Sequence, residues 1–263
     1  MEKDDAQVGR VLTRREAIVL MGAASASLIA GCSTGQSASE ANGQTPASAK
    51  GQAATVAAAT PPPGCIVRPE ETAGPYYVDE KLNRSDIRSD PTDGSIKPGT
   101  PLELTFNVTK MAQTGCVPLA GAVVDVWHCD ALGAYSDVRD QNGYFDTKGK
   151  KFLRGYQVTD ASGHATFKTI YPGWYEGRAV HIHFTIRSSP GAATGHEFTS
   201  QLYFNDSDND RILSEQPYKS KGQRKSNNAS DGIFRENGSQ LILALRPATV
   251  GYVSTFDIAL QTS

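Results

Sequence analysis

From Gly64 onward, apolar side chains recur with a period of two in short runs separated by turn residues, and no stretch sustains a helical period beyond a turn or two. Leu102, Leu104, Phe106 and Val108 alternate with more polar neighbours, and 122–128 is a nearly continuous apolar strand. Further strands are expected at 180–186, 201–204, 240–245 and 252–260, with 156–170 reading as a hairpin about Asp160-Ala161-Ser162-Gly163. This pattern restricts the chain to the all-β class: a two-sheet β-sandwich with long loops. The polar stretch 205–238 is expected to be surface loop with one short helix starting near Asp206. Its run DSDND resembles a calcium loop, but Arg211 stands where glycine is needed and Pro217 where the bidentate glutamate belongs, so a helix cap explains it better.

The sandwich is expected to occupy 64–263, because the residues before it have another character. Residues 1–31 read as an export leader. Arg14 and Arg15 precede the apolar stretch AIVLMGAASASLIA, which is shorter than the roughly 20 residues that span a bilayer. Thr13-Arg14-Arg15-Glu16 suggests the twin-arginine route, although Ala17 stands where that motif usually has a large apolar residue. Leu28-Ile29-Ala30-Gly31-Cys32 resembles a bacterial lipobox, which makes Cys32 the lipidated start of the mature chain and the location exported, in the cell envelope or outside it. The alternative is an ordinary secretory leader with an incidental cysteine. Residues 32–63 are mostly Ala, Ser, Gly, Gln, Thr and Pro, a disordered tether that would hold a domain about 30 Å from the lipid.

A net charge of −2, from 26 basic and 28 acidic residues, offers no field for nucleic acid. Partners must be sought at a site. In an oxidising compartment three cysteines remain after Cys32: Cys65 and Cys116 each follow a glycine in loop-like sequence and are expected to pair, leaving Cys129 as a buried thiol.

The sharpest local feature is Arg178-Ala179-Val180-His181-Ile182-His183-Phe184. Side chains two apart on a strand share a face, so His181 and His183 can meet one metal ion while Ile182 and Phe184 pack behind them. The spacing alone leaves zinc sites, cupins and a chance pair open. A cupin would need a later histidine, and the one present, His196, sits in a Gly-rich turn; a zinc hydrolase could recruit His128 or His164. His128 shares its face with Val124 and Val126 and reads better as a core histidine, or one that supports a ligand from behind, than as a ligand. Upstream, Gly133-Ala134-Tyr135-Ser136 and Pro172-Gly173-Trp174-Tyr175 each place a tyrosine in a turn beyond a strand.

TAGPYY at 72–77, PLAGAVVDVWHCDALGAYS at 118–136, LRGYQVTDASGHATFKTIYPGWY at 153–175, RAVHIHF at 178–184 and QLYF at 201–204 resemble successive blocks of the intradiol ring-cleavage dioxygenases, which include protocatechuate- and catechol-cleaving enzymes. The resemblance implies one iron(III) per chain, Fe(3+), held by Tyr135, Tyr175, His181 and His183. It implies a small aromatic diol and dioxygen as substrates, with Tyr175 displaced by the diol and the ring opened between its hydroxylated carbons to a muconate-type diacid. No reductant or organic cofactor is implied. Phenolate is a hard donor suited to iron(III), and a bound cation can hold it deprotonated although free tyrosine has a pKa of about 10. Arg178 matches an arginine that stabilises charge developing on the substrate, yet in a regular strand it would face away from His181, so the strand must begin after it or bulge. Gln201 matches a pocket glutamine, and Thr72, Gly74, Pro75 and Tyr76 match the substrate mouth. The 175–181 stretch is shorter than in well-known cytoplasmic members and the tether stands in place of their helical dimerisation segment, which leaves the particular catechol and the oligomeric state open.

Two other readings compete. PLAGAVVDVW and TDASGHATFKTIYPG also resemble transthyretin-like sandwich modules, so the chain could be a non-catalytic binding module at the cell surface. A zinc or copper HxH protein would use the histidines without the tyrosines. Convergence of Tyr135, Tyr175, His181 and His183 on one point separates the enzyme from the module.

Overall fold

The computed structural model describes residues 64–188 and 197–261, so the leader, the tether with Cys32, and His196 lie outside the described residues. In chain order its strands are β1 (Pro101–Ala112), β2 (Gly115–Pro118), β3 (Val123–Trp127), β4 (Arg154–Val158), β5 (His164–Ile170), β6 (His181–Arg187) and β7 (Glu197–Tyr203). Helix α1 (Asp206–Leu213) and helix α2 (Gly232–Asn237) follow, then β8 (Arg246–Pro247) and β9 (Tyr252–Leu260). None of the described helices is long and apolar enough to cross a membrane.

Two sheets form the sandwich. In one, β1 runs parallel to β9, whose other edge is β8, while β5 and β2 pair antiparallel with successive stretches of β1. The other is antiparallel in the order β4-β3-β6-β7. The alternation along β1 does what a period of two dictates: Leu102, Leu104, Phe106 and Val108 are buried and meet Val124, Val126, Ile182, Phe184 and Ile186 from the facing sheet. Phe106 anchors the contact, its ring centroid 5.1 Å from that of Phe184 and 6.0 Å from that of Phe256. Truncating such a residue costs about 3–5 kcal/mol.

The odd face of the second sheet positions the site. Trp127, His183 and Gln201 are direct cross-strand partners, as are His181 and Tyr203, so all five side chains stand on the face turned away from the sandwich core. That face is nonetheless buried: the entering chain runs along the edge of β7, where Glu71 N donates to Thr199 O and Ser200 Oγ donates to Pro69 O, and then lays Gly74 on the His183 ring. Cys65 and Cys116 are joined by a disulfide, Cα atoms 5.4 Å apart, which ties this crossing segment to β2; Cys129 is a buried free thiol.

Three sequence expectations are corrected. The 156–170 stretch is no hairpin, since β4 pairs with β3 and β5 pairs with β1 in the other sheet. Thr159 holds the end of β4 to the β3 side through Leu119 O and Ala122, while the Gly163 carbonyl accepts from Val108 N and Gly163 leaves no room for a Cβ, which would sit 2.3 Å from Val108 O. The chain therefore changes sheets at this turn. The 240–245 stretch buries Leu241 and Leu243 but makes only an isolated bridge, Tyr203 with Ile242, and covers the end of β7 instead of extending a sheet. Finally, α1 begins at Asp206, but its N-cap is Asn205 without a side-chain cap bond; Asp206 and Asp208 sit in the first turn, favourable toward the helix dipole, and Asp206 also accepts from Arg224.

Candidate metal centre

His181 begins β6 and His183 follows two residues on, so both imidazoles leave the same face, with Nε2 atoms 3.0 Å apart. The loop after β3 delivers Tyr135, whose Oη is 3.3 Å from His181 Nε2, and the loop after β5 delivers Tyr175, whose Oη is 3.1 Å from the same nitrogen. Four donor atoms from three chain segments thus meet at one point. Ligands about 2.1 Å from a shared ion stand roughly 3.0–3.4 Å from one another, the spacing found here.

The chemistry of the donors fits a hard cation. His181 Nδ1 lies 2.7 Å from the Ala179 carbonyl, which fixes the ring proton there and presents a bare Nε2 lone pair to the centre. Burial holds the pKa of both histidines well below the usual value, so both imidazoles are neutral and can offer a nitrogen lone pair. The Trp127 ring stacks on His183 with planes 4° apart and fixes its orientation. Burial also pushes Tyr135 well above its ordinary pKa and Tyr175 to about 12, with Arg178 pulling both the other way, so phenolate forms at neutral pH only with a cation at hand. Among the described residues no three His, Cys, Asp or Glu side chains gather as a metal site. The oxygens that stand beside the two histidines are those of Tyr135 and Tyr175, hard donors of the kind that suit iron(III).

Arg178 reaches this pocket because β6 starts after it. Its Nη2 donates to Gln201 Oε1 at 2.5 Å, its Nε to Asp231 Oδ2 at 3.0 Å, and Gln201 Nε2 donates to the Thr72 carbonyl at 2.9 Å. Tyr203 Oη, beside Gln201, donates to Glu71 Oε2. Gly74, at φ +70°, sits over His183, and Tyr76 stacks on Tyr135 with centroids 4.7 Å apart while its hydroxyl donates to Asp140. Thr72 is exposed but turns its Oγ1 to Gly74 N, and Pro75 is exposed in the same turn. Beside Tyr76 and Tyr175 a cleft of about 800 Å³ opens to solvent.

His128 stays apart: fully buried, its ring nitrogens bond Cys129 O and Thr169 Oγ1, and burial lowers its pKa to about 4. His164 is exposed on β5. Sequence reasoning missed Asp231 and Trp127. Asp231 precedes the Gly-Ile-Phe start of α2, a cap signal inside what reads as loop, and Trp127 has the same strand parity as Asp125, against the core-facing Val124 and Val126.

The comparisons agree with this geometry. A family model described as Dioxygenase matches residues 72–225, more than half of the 263 residues. The chain is 33% identical over 139 residues to the protocatechuate 3,4-dioxygenase beta chain of Burkholderia cepacia, covering 49% of this chain and 56% of that one. It is 31% identical over 151 residues to catechol 1,2-dioxygenase of Candida albicans, covering 49% and 45%. The chain thus spans about half the length of these curated relatives. Among solved structures, the intradiol ring-cleavage dioxygenase from Tetranychus urticae superposes with a TM-score of 0.63 at 31% identity, over 75% of this chain and 95% of that one. Matched across its sandwich and nearly the whole of a solved relative, the chain belongs to the intradiol ring-cleavage dioxygenase family.

Proposed function

We propose that the chain is an iron(III) dioxygenase that opens a catechol-type ring between its hydroxylated carbons, giving a muconate-type diacid. The observation that carries this reading is the meeting of Tyr135 Oη, Tyr175 Oη and His183 Nε2 around the bare His181 Nε2, within 3.0–3.3 Å. A transthyretin-like binding module has no use for that arrangement. Iron(III), when bound, would supply the Lewis acidity that draws electron density from the diol and opens its ring to dioxygen.

The chain's residues divide the remaining work. Tyr135 is fully buried, whereas Tyr175 lines the cleft, so Tyr175 is the donor that an incoming diol meets and the base that takes one of its protons. His181 and His183 are fixed by β6, Ala179 and Trp127 and stay in place. Arg178, held by Asp231, places a cation where negative charge develops on the ring, and Gln201 orients its guanidinium. The same proposal puts the protein outside the cytoplasm on a lipid at Cys32, which membrane fractionation of Cys32→Ala tests.

The visible spectrum of the purified protein is the deciding experiment. A red-brown tyrosinate-to-metal band, iron near one per chain, and loss of the band in Tyr135→Phe are expected. Oxygen uptake with a series of catechols, with both atoms of labelled dioxygen found in the diacid, tests the reaction. A folded, colourless protein that takes up no iron would sink the proposal.

A further inference from the structure

The cleft beside Tyr175 carries an ammonium group that ring opening does not use. Lys221 ends the short 3-10 turn Tyr218–Lys221 and reaches over the cleft wall, where its Nζ donates to the Leu132 carbonyl and lies 4.8 Å from the centroid of the Trp174 ring. Gly133 makes room for it: at φ +84°, a Cβ there would sit 2.2 Å from Nζ. Gly133 and Trp174 neighbour Tyr135 and Tyr175 in sequence, so the ammonium is built into the two turns that deliver the tyrosines.

Its charge lacks a partner. Among the described residues no carboxylate stands within ion-pair distance of Lys221; Asp130, whose field it feels, is taken by Lys97 at 2.9 Å. Lys225, in the same cleft, is by contrast paired with Glu176 at 3.1 Å. Lys221 is half-buried, burial lowers its pKa, and one carbonyl satisfies only one of its three N–H donors. The cleft, at about 800 Å³, has the size that accepts a drug-sized ligand, well beyond a single ring. Its rim exposes Leu132 (50%) and Tyr144 (73%), apolar surface for the rest of such a molecule.

We propose that Lys221, over Trp174, anchors a distal subsite for an acid group, so that the preferred diol carries a carboxylate on an extended side chain. The inference rests on the ring-cleavage reading for turnover, while binding tests it separately.

Calorimetry on the purified full chain compares an ortho-dihydroxyphenylpropanoate with its uncharged methyl ester, and oxygen uptake is measured in parallel. The acid should bind at least about tenfold more tightly than the ester, the ratio should fall to near one in Lys221→Gln and recover in Lys221→Arg, and salt should shrink it. Equal affinities in the unaltered protein, a ratio that survives Lys221→Gln, or an equal collapse in Lys225→Gln would overturn the subsite. Acid preference that depends on Lys221 with no oxygen uptake on any diol would keep the subsite and remove the ring-cleavage reading.

Discussion

Asp231 Oδ2 lies 3.0 Å from Arg178 Nε and 2.8 Å from Ala179 N, so one buried carboxylate fixes both the guanidinium and the backbone that leads into β6. Its other oxygen caps α2 through Ile233 N and Phe234 N. Removing one partner of a buried pair costs about 3–5 kcal/mol, because the other charge is left uncompensated. Asp231→Ala should lose stability of that order in urea unfolding. Asp231→Asn keeps the shape and the cap; it should lower kcat with a diol more than it raises KM, since Arg178 is then less firmly aimed.

Gly74 is required for two reasons at once. Its φ of +70° costs an ordinary residue about 1–2 kcal/mol, and a Cβ would press to 3.2 Å from His183 Cε1. Gly74→Ala should therefore weaken metal retention as well as the fold: chelator titration of the loaded protein should strip the ion at lower chelator concentration than in the unaltered chain. A variant that lost only stability, with unchanged metal affinity, would show that the ring does not feel this contact.

How far this could be foreseen differs between the fold and the site. The period-two runs along β1, β6 and β9 and the nearly continuous apolar run of β3 announce strands because each has one face on the core, and the His181–His183 pair follows from the alternation along β6. The pairing of those strands is another matter. Nothing local to 156–170 distinguishes a hairpin from a crossing; the choice is made by Gly163 meeting the backbone of β1, a contact between residues 55 apart in sequence, as 163 and 108 are. The tyrosines are legible only through family resemblance, since their convergence on His181 depends on two long loops. Asp231 and Trp127 were hidden because their roles depend on register and packing across elements.

The disulfide should act on the site as well as on the chain. Cys65 and Cys116 close a loop of sequence separation 51, for which loop-closure entropy gives up to about 4 kcal/mol. The segment it pins continues through Ile66, which accepts from Ala259 N, to Glu71, Thr72 and Gly74 over the histidine face. Cys65→Ser with Cys116→Ser should lower the guanidinium midpoint by an amount matching about 2–4 kcal/mol and speed amide exchange across 66–76. Reductant should reproduce both changes in the unaltered protein and neither in the variant.

Glu71 gives the stability a pH dependence of definite sign. Its carboxyl accepts from Tyr203 Oη at 2.6 Å, yet burial outweighs that bond and the attraction of Arg178 and raises its pKa from 4.5 to about 7. Between those two values the native chain holds a proton that the unfolded chain has lost, so stability falls as pH rises from about 4.5 to about 7, and the penalty is complete above that. Glu71→Gln removes the penalty and can still accept from Tyr203. It should be more stable than the unaltered protein at pH 8, by about 1–2 kcal/mol once solvent screening of a partly buried group is allowed for, with the gain vanishing near pH 4.5. Urea unfolding of both proteins at matched pH measures the difference, and a gain that grew toward acid pH would mean that Glu71 is held ionised in the native state.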